Sequence, residues 1–121
     1  MATRSFIGIQ NTNGSVTGVY CHHDGYLEGV GATLTAHYTT AEQVRELVAL
    51  GSLSSLGEDL DVTQAYHRDR GEDLDVANYG SPGQIRFSDG DYEFLYVFTP
   101  EGWLVAEGRS NSRTPKFRRL G

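Results

Sequence analysis

The chain is short of thiols, of lysine and of long apolar runs. Its single cysteine, Cys21, excludes a disulfide within the chain and fits a reducing compartment. No apolar stretch approaches the roughly 20 residues of a membrane-spanning helix. The opening run MATRSFIG lacks the apolar core of a signal peptide. One lysine against nine arginines is a compositional trait, as of a GC-rich coding genome, since no surface requires it. Several chemical signatures are missing as well. There is no CxxC pair, no GxxxxGK[ST] or GxGxxG loop, and no EF-hand spacing.

What is present describes one domain of 121 residues with a modest core: 38% hydrophobic and 21% charged, with seven Tyr, five Phe and one Trp to fill it. Net charge is −6, unevenly spread. Residues 109–121 carry five basic side chains and no acid, and residues 1–108 carry five basic and sixteen acidic ones, a balance of −11. We therefore read residues 1–108 as the domain and 109–121 as a basic tail or edge segment. Such a tail pairs loosely with an acidic body or subunit, or contacts phosphate. The acidic body argues against duplex DNA as a partner.

Two strand-like runs, residues 5–10 and 16–22, flank the turn residues Asn13 and Gly14 and read as a hairpin. Residues 29–38 suit a short helix with Val30, Leu34 and either His37 or Tyr38 inward. Thr40 and Gln43 have capping-box spacing ahead of a second helix whose stripe is Val44, Leu47 and Val48, stopped by Gly51. Residues 52–57 read as a turn, and 63–70 as a strand ending in a charged loop. Residues 84–107 read as strands joined by turns, with 92–98 the most β-prone run and 103–107 its return. Pro115 leaves room only for a short edge strand near 116–120. The expected fold is α+β: an antiparallel sheet of about four to six strands with two helices inserted after the first hairpin. The hexapeptide GEDLDV occurs twice, at 57–62 and 71–76, which reads as a local duplication or a repeated turn-and-strand unit.

Two segments concentrate polar chemistry. The first, YCHHDGY, holds Tyr20, Cys21, His22, His23, Asp24 and Tyr26. On a strand, Cys21 and His23 face one way and His22 and Asp24 the other. A metal at this segment would draw on His22, His23 and Asp24 with His67 or His37 from afar, in no standard zinc spacing. A Cys21–His22 dyad is disfavoured by the same alternation. The remaining readings are a strand end with a turn at Asp24-Gly25, or a recognition loop in which Asp24 and the imidazoles read polar edges while Tyr20 or Tyr26 stacks on a ring. The second segment, YHRDRGE, holds Tyr66, His67, Arg68, Asp69 and Arg70. On a strand Arg68 and Arg70 share a face and could grip a phosphate, with Tyr66 beside them to stack on a base. Otherwise Asp69 and Glu72 pair with them. Arg109 and Arg113 of the tail could add charge. The acidic residues Glu58, Asp59, Asp61, Glu72, Asp73 and Asp75 read as a solvated face, and Gly29–Val30–Gly31 as a helix start rather than a phosphate loop.

The tracts IGIQNTNGSVTGVYCHHDGY, GVGATLTAHY, LGSLSSLG and AYHRDRGED together resemble a family of small uncharacterised proteins of tailed phages and prophages. The resemblance covers roughly residues 5–75, and more faintly the aromatic run at 92–105. The duplicated GEDLDV is not part of that pattern. The resemblance implies an accessory protein working in the host cytoplasm, for takeover of the host or against its defences. It implies no reaction and assigns no catalytic residue. From it and the residues together, the expected function is non-enzymatic binding of a nucleotide-like or phosphate-bearing molecule, in a pocket that an oligomer could complete. The competing expectations are an inhibitor docking on a host protein through its acidic surface, and a metal-dependent phosphodiesterase or nuclease. No cofactor and no membrane partner are expected.

Overall fold

A computed structural model describes residues 2–108 and 114–120. The chain is α+β, and its sheet is mixed, with eight strands. β1 (Ser5–Gln10) and β2 (Val16–Cys21) form the expected hairpin, antiparallel from Ser5↔Cys21 to Gln10↔Val16. Its turn closes on Asn11, whose carbonyl accepts from the Gly14 amide, and Gly14 adopts φ +90°, a left-handed value that glycine takes without cost.

The inserted helices follow. A π-helical turn, Leu27–Gly31, runs into α1 (Ala32–His37), and α2 spans Ala41–Val48. The capping box is formed: Gln43 N–H donates to Thr40 Oγ1, and Thr40 N–H donates to Gln43 Oε1. Val30, Leu34 and Tyr38 turn inward, so Tyr38 and not His37 completes that face. Gly51, at φ +81°, ends the helical region.

β3 (Leu53–Ser55) then lies parallel to the end of β2, and β4 (Gln64–Ala65) pairs with β3. α3 (Tyr66–Arg70) ends at the left-handed Gly71. β5 (Ala77–Tyr79) returns antiparallel to the other end of β2. After two 3₁₀ turns, Pro82–Gln84 and Phe87–Asp89, the chain crosses to the free side of β1. There β6 (Phe94–Thr99) runs parallel to it. β7 (Gly102–Glu107) pairs antiparallel with β6, and β8 (Arg118–Arg119) adds a short edge to β7.

Four expectations are corrected here. The sheet is not purely antiparallel, because hairpin turns encode only local pairing, while β1–β6 and β2–β3 are joined by long crossovers. Residues 52–57 contain β3, whose edge is satisfied by β2 and β4. Residues 63–70 form a two-residue strand and then a helix, because Asp69 accepts from the Ala65 amide four residues earlier and closes a helical turn there. Residues 84–93 are not strand: the Asp89 carboxylate bonds the Arg86 amide and the Tyr79 hydroxyl and curls the segment.

Each face of the sheet buries its own core. Ile7, Ile9, Val19 and Cys21 pack with Tyr96, Trp103 and Val105 under the helices. On the other face Phe6, Leu95, Val97 and Ala106 pack against Ile85 and Tyr92 of the curled segment. Phe6 lies flat over the glycine pair Gly8↔Gly18. A Cβ at Gly18 would stand 2.2 Å from Phe6 Cζ, and one at Gly8 would stand 2.6 Å from Phe6 Cε2. Buried on both faces, β6 needs a continuous apolar run, which Leu95-Tyr96-Val97 provides.

Gly18→Ala therefore overpacks the core beneath Phe6. Urea unfolding should show a loss of about 1–3 kcal/mol, whereas Gly83→Ala, with open space at its Cβ, should leave the midpoint unchanged.

Candidate functional site

β2 delivers the first polar segment. Tyr20 and His22 lie on the same side of the strand, two residues apart. Arg4 Nε donates to the Tyr20 hydroxyl oxygen at 3.0 Å. The same hydroxyl lies 2.5 Å from His22 Nδ1, so Tyr20 bridges the guanidinium and the imidazole. Partial burial, then the neighbouring His23 and Arg4 charges, hold the His22 pKa below the ordinary imidazole value. His22 is thus a neutral ring at neutral pH.

The rest of YCHHDGY builds the turn. The His22 and His23 amides donate to the Leu53 and Ser54 carbonyls, extending the ladder to β3. Asp24 takes φ +58°, its carbonyl accepts from Val30, and its carboxylate accepts from the Tyr26 hydroxyl. Tyr96, fully buried in the sheet, donates to the Gly25 carbonyl at 2.7 Å and pins the turn from below. Cys21 points into the core, and burial pushes its thiol up to about 12, so no thiolate is at hand for nucleophilic chemistry.

The second segment is a clamp. Arg68 donates to the Leu60 carbonyl at 2.8 Å, to the Thr63 carbonyl at 2.5 Å, and to both oxygens of Asp69 at 3.0 Å. Four of its five N–H donors are taken by its own chain. Arg70 stands over the Tyr66 ring, 5.1 Å from its centroid. On helix α3 the two arginines do not share a face, so the paired-fork phosphate grip expected from a strand is not formed. His67 Nδ1 lies 2.7 Å from the Glu72 carbonyl oxygen and holds the next segment.

The two copies of GEDLDV frame this clamp in different conformations. In the first, Asp59 accepts from the Asp61 and Val62 amides and makes a tight turn, with Leu60 packed inward and Val62 exposed. The second is irregular and has the opposite burial: Val76 packs inward while Leu74 is exposed, beside Gly51. Neighbours, not the hexapeptide, choose the conformation.

These elements border an open hollow of about 820 Å³. It is lined by Tyr20 and His22 from the first segment, Tyr66 from the second, and Glu72, Asp73, Leu74 and Asp75 from the second repeat. Of the residues singled out in the sequence, Tyr20, His22 and Tyr66 meet here. His23, Asp24, Tyr26 and Arg68 do not line it, Arg70 reaches it only through the Tyr66 ring, and Arg109 and Arg113 lie outside the described residues. The carboxylates of the hollow read in the sequence as a solvated face, and Arg4 carried no signal at all. A repeat copy directly after RDRG was the one available hint. His37 lines a separate hollow of about 340 Å³ with Glu46, Glu58, Asp59 and Asp61. Among the described residues no three His, Cys, Asp or Glu side chains are disposed to hold a metal ion, so the alternative set His22, His23, Asp24 and His67 is not gathered.

Comparison with protein-family models, with curated protein sequences and with solved structures returns no match.

Two measurements check this geometry. His23→Gln removes a neighbouring charge, and the His22 pKa followed by ¹⁵N NMR should rise toward its ordinary value. A His pKa lowered by folding means the unfolded chain binds the proton more readily. Stability should therefore fall as pH drops from the ordinary imidazole pKa toward the folded one, and His23→Gln should flatten that slope. Separately, Asp69→Ala unties Arg68 and the start of α3. Hydrogen exchange should speed up through residues 59–72 while the β1–β2 amides remain protected.

Proposed function

We propose that this chain is a phage accessory protein that acts by binding, without catalysis, in the host cytoplasm, and that it holds a nucleotide-like small molecule in the Tyr20–His22–Tyr66 hollow. The setting rests on the sequence resemblance. The ligand rests on one observation: aromatic and imidazole side chains from two distant segments line the same hollow, beside three carboxylates. A planar base stacks on Tyr66 or Tyr20. Its amino edge donates to Glu72, Asp73 or Asp75, and the His22 imidazole hydrogen-bonds a polar atom of the ring. The carboxylates repel phosphate, so a phosphate-bearing ligand enters base first and directs its phosphates outward, toward Arg70.

One observation favours a second reading, an inhibitor docking on a basic host protein. Among the described residues only two ion pairs form, Arg68–Asp69 and Arg118–Glu107. Most of the sixteen carboxylates thus remain available to a cationic partner. No helix among the described residues is long and apolar enough to cross a membrane.

Native mass spectrometry of protein purified from its bacterial host, before and after denaturation, tests the first reading. A released base-bearing mass is expected, and its affinity should fall about 10- to 100-fold in Tyr66→Ala, the worth of one stacked base. A bare subunit that binds neither nucleosides nor nucleotides in titration calorimetry overturns the small-molecule reading. A salt-sensitive pull-down of one host protein would then support the second.

A further inference from the structure

α2 borders a further opening, whose lining residues are distinct from those of the hollow. Two adjoining hollows, about 460 and 250 Å³, share Ile9, Asn11 and Arg45. Phe98 and Pro100 wall the larger, and Val48 and Val76 the smaller. They open where β1 and β6 end side by side, and carboxyl ends of parallel strands are where sheets with helical cover leave a crevice.

Arg45 is the cation at this opening. The other four arginines of residues 1–108 are committed. Arg4 bonds Tyr20, Arg68 bonds Asp69 and two carbonyls, Arg70 covers Tyr66, and Arg86 bonds the Gly83 and Ile85 carbonyls. Among the described residues the Arg45 side chain makes no hydrogen bond, ion pair or ring contact, although Glu42 and Glu46 share its helix. A guanidinium left open at the mouth of an apolar cleft matches an anion with an apolar body. In a domain this acidic, a single negative charge is favoured over a dianion.

We propose that this cleft binds an amphipathic carboxylate. The carboxylate accepts a bidentate pair of hydrogen bonds from Arg45, and the chain or ring behind it lies against Ile9, Phe98 and Val76. The site is separate from the Tyr20–His22–Tyr66 hollow and does not rest on the function proposed for it.

The protein carries its own reporter. Phe98 packs edge-on against Trp103, the only tryptophan, with ring centroids 5.2 Å apart. Octanoate is titrated while Trp103 fluorescence and binding heat are followed, with octylamine and octanol as matched probes. Octanoate should saturate, octylamine should not, and octanol should bind more weakly. Arg45→Gln, at an exposed position that leaves the core untouched, should weaken octanoate about tenfold or more, to the level of octanol. Ala49→Glu places a carboxylate one helical turn from Arg45 and should weaken it likewise. Tyr66→Ala should leave octanoate binding unchanged, so failure here and failure of the nucleotide-like reading are seen separately. Absence of saturable octanoate binding, or equal affinity in the parent and in Arg45→Gln, overturns the proposal.

Discussion

The parallel seam between β1 and β6 is the constraint on which the rest depends. It joins residues 5–9 to 94–98, so two hairpins made at opposite ends of the chain become one sheet. Both strands are buried on both faces, and the seam gives each core its floor. It also fixes what lies beside it. With β6 occupying one side of β1, the loops that follow the first hairpin collect on the far side of β2, where β3, β4 and β5 attach and the hollow forms. The carboxyl ends of the same two strands define the cleft beneath Arg45.

Much of this was legible because the relevant signals are local. Asn13-Gly14 announces its turn, Thr40 and Gln43 their capping box, and the spacing of Val30 and Leu34 their buried face, with the choice between His37 and Tyr38 left to the fold. The seam was not legible, since nothing in FLYVFT names its parallel partner eighty-odd residues earlier. The candidate site shows the same division. Tyr20, His22 and Tyr66 were visible as residue types suited to recognition, but their meeting depends on β3 and α3, both read otherwise. Arg68 illustrates the error most clearly. An arginine beside a second arginine looks like an anion site until the chain curls and offers it the Leu60 and Thr63 carbonyls. The repeated hexapeptide goes further, because one sequence takes two conformations and exposes a different apolar residue in each.

Charge then divides the surface by chemistry. Arginines in the domain are mostly spent on carbonyls, rings and Asp69, while carboxylates are mostly left open. The hollow follows this rule: its walls offer acceptors, two phenol rings and one neutral imidazole bridged to Arg4 through Tyr20. The Arg45 cleft is the exception, apolar with one unclaimed donor group. The two openings therefore present surfaces of opposite character.

The burial of Cys21 has a consequence for observing motion. Cys21 pairs with Ser5 of β1 on one edge and Leu53 of β3 on the other, and its thiol lies in the core beneath the helices, out of reach of solvent. As the only thiol in the chain, it can meet an added reagent only during excursions that open this core. With reagent in excess, its labelling rate is then a clock for the opening of the wall that carries His22, readable without mutation and without any ligand in hand.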